Sequence, residues 1–317
     1  MARTQSRPSL GYALVVGGAC FFVLNAGVSR VVLRAGIDPA LLTTFRTTGS
    51  ALLFVLFAVV ADRSALRLPR GRELALLLLL GVVGIASVQW TYNIAIDRIP
   101  VGMALLLEYL APVLVVLWAR FVQRQHVRRT MWLAVALTLV GLALVAQIAS
   151  GLAFDGLGML AGLAAAACLA TYFLVGEQGV SEADPIRVVV WAFVFAAIAM
   201  NVARPIWTSP DLDGSANLLG ALDAYEVPLW LAIGWVVVLG TLTPFFMELS
   251  ALQHLPATVV TMVATLEPVG AAALGWAWFG ESLDALQVVG GLLVVAGIVL
   301  AQASRAVPPP AVPEVAG

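Results

Sequence analysis

Residues 255–283 read LPATVVTMVATLEPVGAAALGWAWFGESL. The stretch is apolar and about one bilayer long at ~1.5 Å of helical rise per residue. It nevertheless carries Glu267-Pro268 in its middle and small residues at Gly270, Ala273 and Gly275. A carboxylate at mid-bilayer costs about 3 kcal/mol on insertion scales, and proline removes a backbone hydrogen bond. An earlier stretch, residues 99–121, IPVGMALLLEYLAPVLVVLWARF, repeats the layout.

Composition sets the class. Of the 317 residues, 62 % are hydrophobic and 11 % charged, with a mean hydropathy of +1.00. Soluble domains are about 45–50 % apolar and about 25 % charged, so an integral membrane protein is expected. Its apolar runs are too long and continuous for the alternation of an outer-membrane barrel; the expectation is an all-α bundle. Runs of about 20 apolar residues fall at 11–29, 39–61, 74–96, 101–121, 130–149, 156–176, 186–207, 227–249, 257–279 and 285–303, ten expected spans. The first is too long for a signal-peptide core and lacks a clear cleavage site, so it is expected to be retained. The tail 306–317 is Pro-rich and expected to be disordered.

All 17 basic residues are arginines. With the N-terminus inside, the inner side holds Arg3, Arg7, Arg63, Arg67, Arg70, Arg72, Arg120, Arg124, Arg128, Arg129, Arg187 and Arg305. The outer side holds Arg30, Arg34, Arg98 and Arg204. That bias places both termini in the cytoplasm. The longest outer loop, 209–226, carries Asp211, Asp213, Asp223 and Glu226 and no base.

The chain repeats itself. Pro100 to Pro256, Pro112 to Pro268, Gly84 to Gly240, Ala95 to Ala251 and Gly141 to Gly297 are each 156 residues apart. Cys20 falls against Cys168, and Asp38-Pro39 against Asp184-Pro185, with a two-residue slip. The expected units are 1–150 and 151–305. Five spans per unit is an odd number, so the second copy must enter the membrane from the other side. Secondary transporters are built from such inverted repeats, with the substrate site where the halves meet near the midplane.

Few ionisable groups lie inside the spans: Arg46, Glu108, Glu267 and, nearer an end, Glu248. Arg46 and Glu108 each lie seven residues from the outer end of their span, a depth of roughly 10 Å, and are expected to meet. Two readings stand: an ion pair that locks helix packing, or a pair that opens to hold a zwitterion, Arg46 on its carboxylate and Glu108 on its ammonium. Glu267, beside the Pro268 kink, suits a cation or a proton, or a tie to a neighbouring helix. Asn25, Gln89, Tyr92, Asn93, Thr171, Tyr172, Thr241 and Thr243 are softer polar groups drawn from both halves; singly each reads as interhelical glue. The substrate-binding candidates are Arg46, Tyr92, Asn93, Glu108, Tyr172, Thr243 and Glu267, with Glu108 and Glu267 as proton-coupling candidates. Gly158 and Gly162 read as a close-packing face.

Cys20 and Cys168 are expected as small packing residues, and His126 and His254 fall in loops, so no metal site is expected. With no lysine there is no Walker phosphate loop, and no HExxH or nucleophile elbow is present. Neither cofactor nor catalytic activity nor a nucleic-acid partner is expected. The partners are lipid and a small-molecule substrate.

Several motifs carry a family likeness: LEPVGAAALGWAWFGESL at 266–283, IPVG at 99–102, Leu107, Glu108 and Pro112, TPFFMELSALQHLP at 243–256, and Ala167, Cys168, Ala170 and Tyr172. Over residues 10–304 the chain resembles the EamA-type branch of the drug/metabolite transporter superfamily. The resemblance implies a central cavity between the halves and export by alternating access. It also implies a multi-pass inner-membrane protein carrying small polar metabolites, amino acids of the threonine and homoserine kind among them. Two rival readings are an exporter of lipophilic cations and a membrane protein without transport. The chain departs from the family pattern in its first half, where ARFVQRQ replaces a counterpart of Gly280-Glu281.

Overall fold

The computed structural model describes residues 8–124, 129–145, 155–175, 185–251, 254–255, 267–281 and 284–305. It is mostly helical. The helices are α1 (Pro8–Arg34), α2 (Pro39–Ala61), α3 (Gly71–Leu79), α4 (Val88–Arg98), α5 (Val101–Glu108), α6 (Ala111–Phe121), α7 (Arg129–Val145), α8 (Gly156–Val175), α9 (Pro185–Ala203), α10 (Leu229–Val237), α11 (Thr243–Ala251), α12 (Glu267–Phe279) and α13 (Ala285–Arg305). Among the described residues six helical stretches are long and apolar enough to cross a membrane: Pro8–Arg34, Pro39–Ala61, Gly71–Arg98, Gly156–Val175, Ile186–Ala203 and Leu229–Met247. Val101–Val115, Arg129–Gly141 and Ala285–Leu300 are shorter apolar helices. Of the span expected at 257–279, residues 257–266 lie outside the described residues. Leu52, Leu56, Val60, Val202, Trp276 and Leu292 are exposed, as suits a bundle whose outside faces lipid.

Local chemistry sets the ends. Asp38 Oδ1 accepts the Leu41 N–H at 2.9 Å with Pro39 in the first turn of α2, an N-cap followed by a proline that gives up no bond. Asp155 does the same for α8, accepting the Gly158 N–H at 2.9 Å. That bond, with Arg98 alongside, holds the Asp155 carboxyl below the usual carboxylate range. Gly280, at φ +67°, ends α12 in the left-handed conformation that glycine adopts freely.

Three expected spans are not uninterrupted α-helices. The run from α3 to α4 passes through a π-helical segment, Leu80–Ser87, and that from α10 to α11 through another, Val238–Leu242. Subtracting 156 from 238 and 242 gives 82 and 86, inside the first segment. Each segment has a hydroxyl bonded to the carbonyl five residues back: Ser87 Oγ to Val82 at 2.9 Å and Thr241 Oγ1 to Val236 at 2.9 Å. The expected span 101–121 is broken after Glu108, where Tyr109 and Leu110 form a turn before α6. Pro112, four residues after Glu108, has no N–H to offer the Glu108 carbonyl.

The helices approach closely where glycines allow it. Gly141 of α7 faces Gly290 and Val294 of α13, while Gly297 of α13 faces Ala134 and Thr138 of α7. Adding 156 to 141, 134 and 138 gives 297, 290 and 294, so the second contact is the first with the halves exchanged. Gly84 packs on Tyr172 of α8, and Gly240 packs on Asn25 of α1. Gly158 and Gly162, expected as a packing face, sit against Arg98, Ile99 and Leu107. Cys20, expected to pack, is exposed on α1, and Cys168 is intermediate.

The 209–226 loop is ordered by its own short elements. Strands β1 (Ser215–Asn217) and β2 (Glu226–Pro228) pair antiparallel, and Trp278 at the end of α12 donates from its indole N–H to the Leu218 carbonyl at 2.8 Å. The hairpin therefore lies over the end of the bundle expected to face outward.

Replacing Gly141 with Val drives a side chain into the Gly290 carbonyl and is expected to destabilise the protein by about 1–3 kcal/mol. Gly291→Ala, whose new carbon would meet only Leu106 at 3.7 Å, is expected to be silent. The melting temperature of the purified protein in detergent separates the two.

Candidate functional site

Arg46 is buried on α2, and its Nε–H donates to Thr241 Oγ1 at 3.1 Å. Thr241 passes its own proton to the Val236 carbonyl, so the π-helical segment holds the hydroxyl with its lone pairs toward the guanidinium. Thr241 thus reaches Arg46, while the substrate-binding candidate Thr243 begins α11. Arg46 and Glu108 do not form the contact ion pair expected from their equal depth. Neither appears in the ion pairs within 4 Å found among the described residues. They remain within electrostatic reach of one another. The physical reason is that equal depth fixes the level of two side chains and leaves open the rotation of the helices that carry them, here α2 and the end of α5.

Around them lies a seam of buried polar groups. Asn93 Nδ2 donates to Thr43 Oγ1 at 3.0 Å. Ser50 Oγ, Gln89 Oε1, Tyr92 Oη and Asn93 Oδ1 are buried without a hydrogen-bond partner. All four lie on α2 and α4: 46 and 50 share one face of α2, and 89, 92 and 93 share one face of α4 by helical spacing. A buried polar atom left unpaired costs about 1–3 kcal/mol, so four together mark a place built for something else to fill. Tyr92 is within electrostatic reach of Glu108, Arg46, Glu267 and Arg30.

Glu267 is buried at the start of α12. Tyr172 is half-buried, with its ring edge-on to Phe173 at 5.7 Å and its Cβ against Gly84. Ser29 Oγ donates to Asn25 Oδ1 at 3.3 Å on the other side of Gly240. The side chain of Glu248 lies outside the described residues. Sequence spacing did not single out Ser50; its offset of four from Arg46 was the available signal.

The two ends of the bundle differ. At the hairpin end, Arg30, Arg34, Arg98 and Arg204 pair with Glu281, Asp97, Asp155 and Asp38. Toward the other end a cleft of about 590 Å³ opens between α3, α6 and α8, lined by Leu79, Leu114, Trp118, Phe121, Ala170 and Leu174. Its wall at Ala167 and Thr171 flanks Cys168, which is within electrostatic reach of Glu108. Among the described residues no group of three His, Cys, Asp or Glu is placed to hold a metal ion.

Apolar helices around a buried arginine, two carboxylates and unfilled hydrogen-bonding atoms define a multi-pass membrane protein with a polar interior. The EamA-like transporter family matches the chain twice, over residues 9–147 and 156–302, and the chain belongs to that family. It is 26 % identical over 269 residues to the uncharacterized transporter YdfC of Bacillus subtilis, covering 84 % of this chain and 83 % of the relative. It is 28 % identical over 241 residues to the threonine/homoserine exporter RhtA of Escherichia coli K12, covering 73 % of each. An uncharacterized transporter of Archaeoglobus fulgidus is 27 % identical over 290 residues, covering 89 % and 98 %. One crystal structure superposes with a TM-score of 0.58 at 18 % identity, covering 93 % of this chain and 97 % of its own; that likeness concerns the fold.

Thr241→Val keeps the shape but leaves the buried Arg46 Nε–H unpaired, and is expected to cost about 1–3 kcal/mol. Tyr92→Phe removes a hydroxyl that bonds to nothing in the empty protein and is expected to leave stability unchanged. Thermal unfolding of both in detergent checks the pair.

Proposed function

We propose that this protein is a secondary transporter of the inner membrane that exports small polar metabolites, amino acids of the threonine and homoserine kind foremost. The observation that carries the reading is the buried seam. Arg46 has guanidinium N–H groups to spare after its bond to Thr241, and these suit a carboxylate in bidentate geometry. Glu108, across the site and beside its own proline-freed carbonyl, suits an ammonium. Asn93 Oδ1 and Gln89 Oε1 accept donors such as a substrate hydroxyl or ammonium N–H, and the Tyr92 and Ser50 hydroxyls serve either way. The name of the relative RhtA favours the same substrate class.

The proposed architecture is ten spans in two inverted five-helix units, 1–150 and 151–305, with both termini in the cytoplasm. The double family match and the contacts that recur at an offset of 156 favour it. The π-helical segments at matching places in the two units are the local irregularities expected where the substrate site of such a transporter lies. Export then proceeds by rocking of the units, with loading from the cleft end and release at the hairpin end. Glu108 or Glu267 is the proposed carrier of a coupling proton.

A second reading, export of lipophilic cations, is favoured by the apolar, aromatic-walled cleft at Trp118 and Phe121. Efflux from cells preloaded with labelled threonine or homoserine decides between them. Export is expected in the wild type and a loss of tenfold or more in Arg46→Ala and Glu108→Gln. Dye efflux that is indifferent to Arg46→Ala, with no amino acid moved, would replace the amino-acid reading. Collapse of the proton gradient is expected to slow efflux; an unchanged rate would leave a uniporter.

A further inference from the structure

Of the five ion pairs found among the described residues, Arg30–Glu281 is the most enclosed. Both side chains are 16 % exposed, against 26–49 % in the others. Exposed pairs contribute little to holding helices together; an enclosed one can. This pair also spans the molecule, since Arg30 belongs to α1 and Glu281 follows α12. Glu281 Oε1 additionally accepts the Val101 N–H at 3.4 Å, which brings the first turn of α5 into the same knot. The carboxylate is steered there by its surroundings. Gly280 reverses the chain, the Glu281 N–H donates to the Gly275 carbonyl at 3.1 Å, and the absent side chain of Gly275 leaves the space the carboxylate fills. The Arg30 guanidinium stacks 5.1 Å from the centre of the Phe279 ring. Next to Phe279, Trp278 is fastened to the hairpin.

On the inward side of this knot is Tyr92, which is within electrostatic reach of both Arg30 and Arg46. Arg46 lies seven residues inward from the hairpin end of α2, whereas Arg30 lies four residues from the hairpin end of α1, so a carboxylate leaving Arg46 outward moves to the level of Arg30. We propose that the Arg30–Glu281 pair is an exit subsite for a zwitterion: the departing substrate places its carboxylate on Arg30 and its ammonium on Glu281, and by this exchange of partners unlatches the sealed end. The proposal rests on the amino-acid export reading and adds the residues that read the substrate a second time. The exchange replaces one ion pair by two, so the latch opens without leaving either charge unpaired in a low-dielectric setting. A ligand with one charge satisfies only one partner and leaves the other bare. The latch is thereby selective for zwitterions, and it stays shut when the site is empty. The first unit has no matching Gly-Glu, since Gln125 stands 156 residues before Glu281. This charge-reading latch therefore belongs to one end only.

The test uses full-length protein in liposomes, with Cys20 and Cys168 replaced by Ala and a reporter, Ser29→Cys, at a buried position beside Arg30. A charged, membrane-impermeant thiol reagent is applied to the hairpin side. Threonine is expected to speed labelling about fivefold or more, whereas threoninamide, which lacks the carboxylate, and 2,3-dihydroxybutyrate, which lacks the ammonium, leave it unchanged. Arg30→Gln with Glu281→Gln, and separately Gly275→Ala, which displaces the carboxylate without altering a charge, are expected to label fast with no ligand. Equal acceleration by all three ligands, or slow unliganded labelling in both sets of variants, overturns the proposal. Threonine efflux without a labelling response sinks the subsite and leaves the transport reading standing. A labelling response without efflux sinks the export reading and with it the exit role of the pair.

Discussion

A guanidinium buried among apolar helices and bonded to a threonine hydroxyl is costly unless its N–H groups are met, and much of the structure can be read from it. Arg46 needs an acceptor at one place in the facing half, and an ordinary α-helical turn does not present the Thr241 hydroxyl that way. The π-helical segment does, because its wider turn lets Thr241 bond to the carbonyl five residues back and turn its lone pairs toward α2. The same widening at Leu80–Ser87 re-aims α4, whose Gln89, Tyr92 and Asn93 face the seam with unmade bonds. Among the described residues backbone regularity is given up at the two π-helical segments and at the turn after Glu108, and all three adjoin the polar interior.

Packing elsewhere compensates. In lipid, helices gain nothing by hiding apolar surface from one another, so close approach and dispersion must supply the attraction. Glycine permits that approach at α7–α13, at α8 against Ile99 and Leu107, and at α1 against the second π segment. The rest of the seal is polar and sits at one end. Four arginines, each with an acidic partner, and a hairpin tied to Trp278 close the face where the chain crosses from α1 to α2 and from α4 to α5. Away from that face the bundle parts into an apolar cleft. The two ends differ among the described residues: four ion pairs and the hairpin lie at one, while the other has the Arg187–Glu73 pair and the aliphatic and aromatic walls of the cleft.

The interior offers two kinds of polar group. The charges are few and fixed by helix geometry, while the unpartnered atoms around them are amides and hydroxyls whose donors and acceptors can be exchanged by single substitutions. On the proposed reading, Arg46, Glu108 and Glu267 would set which end of a substrate lies where. On the same reading, Ser50, Gln89, Tyr92 and Asn93, whose polar atoms are unpartnered, would decide what its side chain must offer.

By itself the sequence determined that the chain is a bundle of apolar helices, where most of those helices begin and end, and which charges lie within them. Hydropathy over 20 residues is a property of consecutive side chains, and an ionisable residue such as Glu267 or Arg46 inside an apolar run is visible in the letters however the helix packs. The 156-residue offset was legible for the same reason, since glycines and prolines at helix contacts are backbone requirements that survive in the letters. Whether Arg46 would touch Glu108 was decided only in three dimensions. Equal depth in two spans puts two groups at one level, but their separation depends on helix rotation and on the break after Glu108, neither of which is written in spacing. The π-helical segments, the hairpin over Trp278 and the Arg30–Glu281 pair were likewise tertiary decisions. Each depends on what lies opposite, across up to 251 residues of chain, and no local pattern encodes an opposite neighbour.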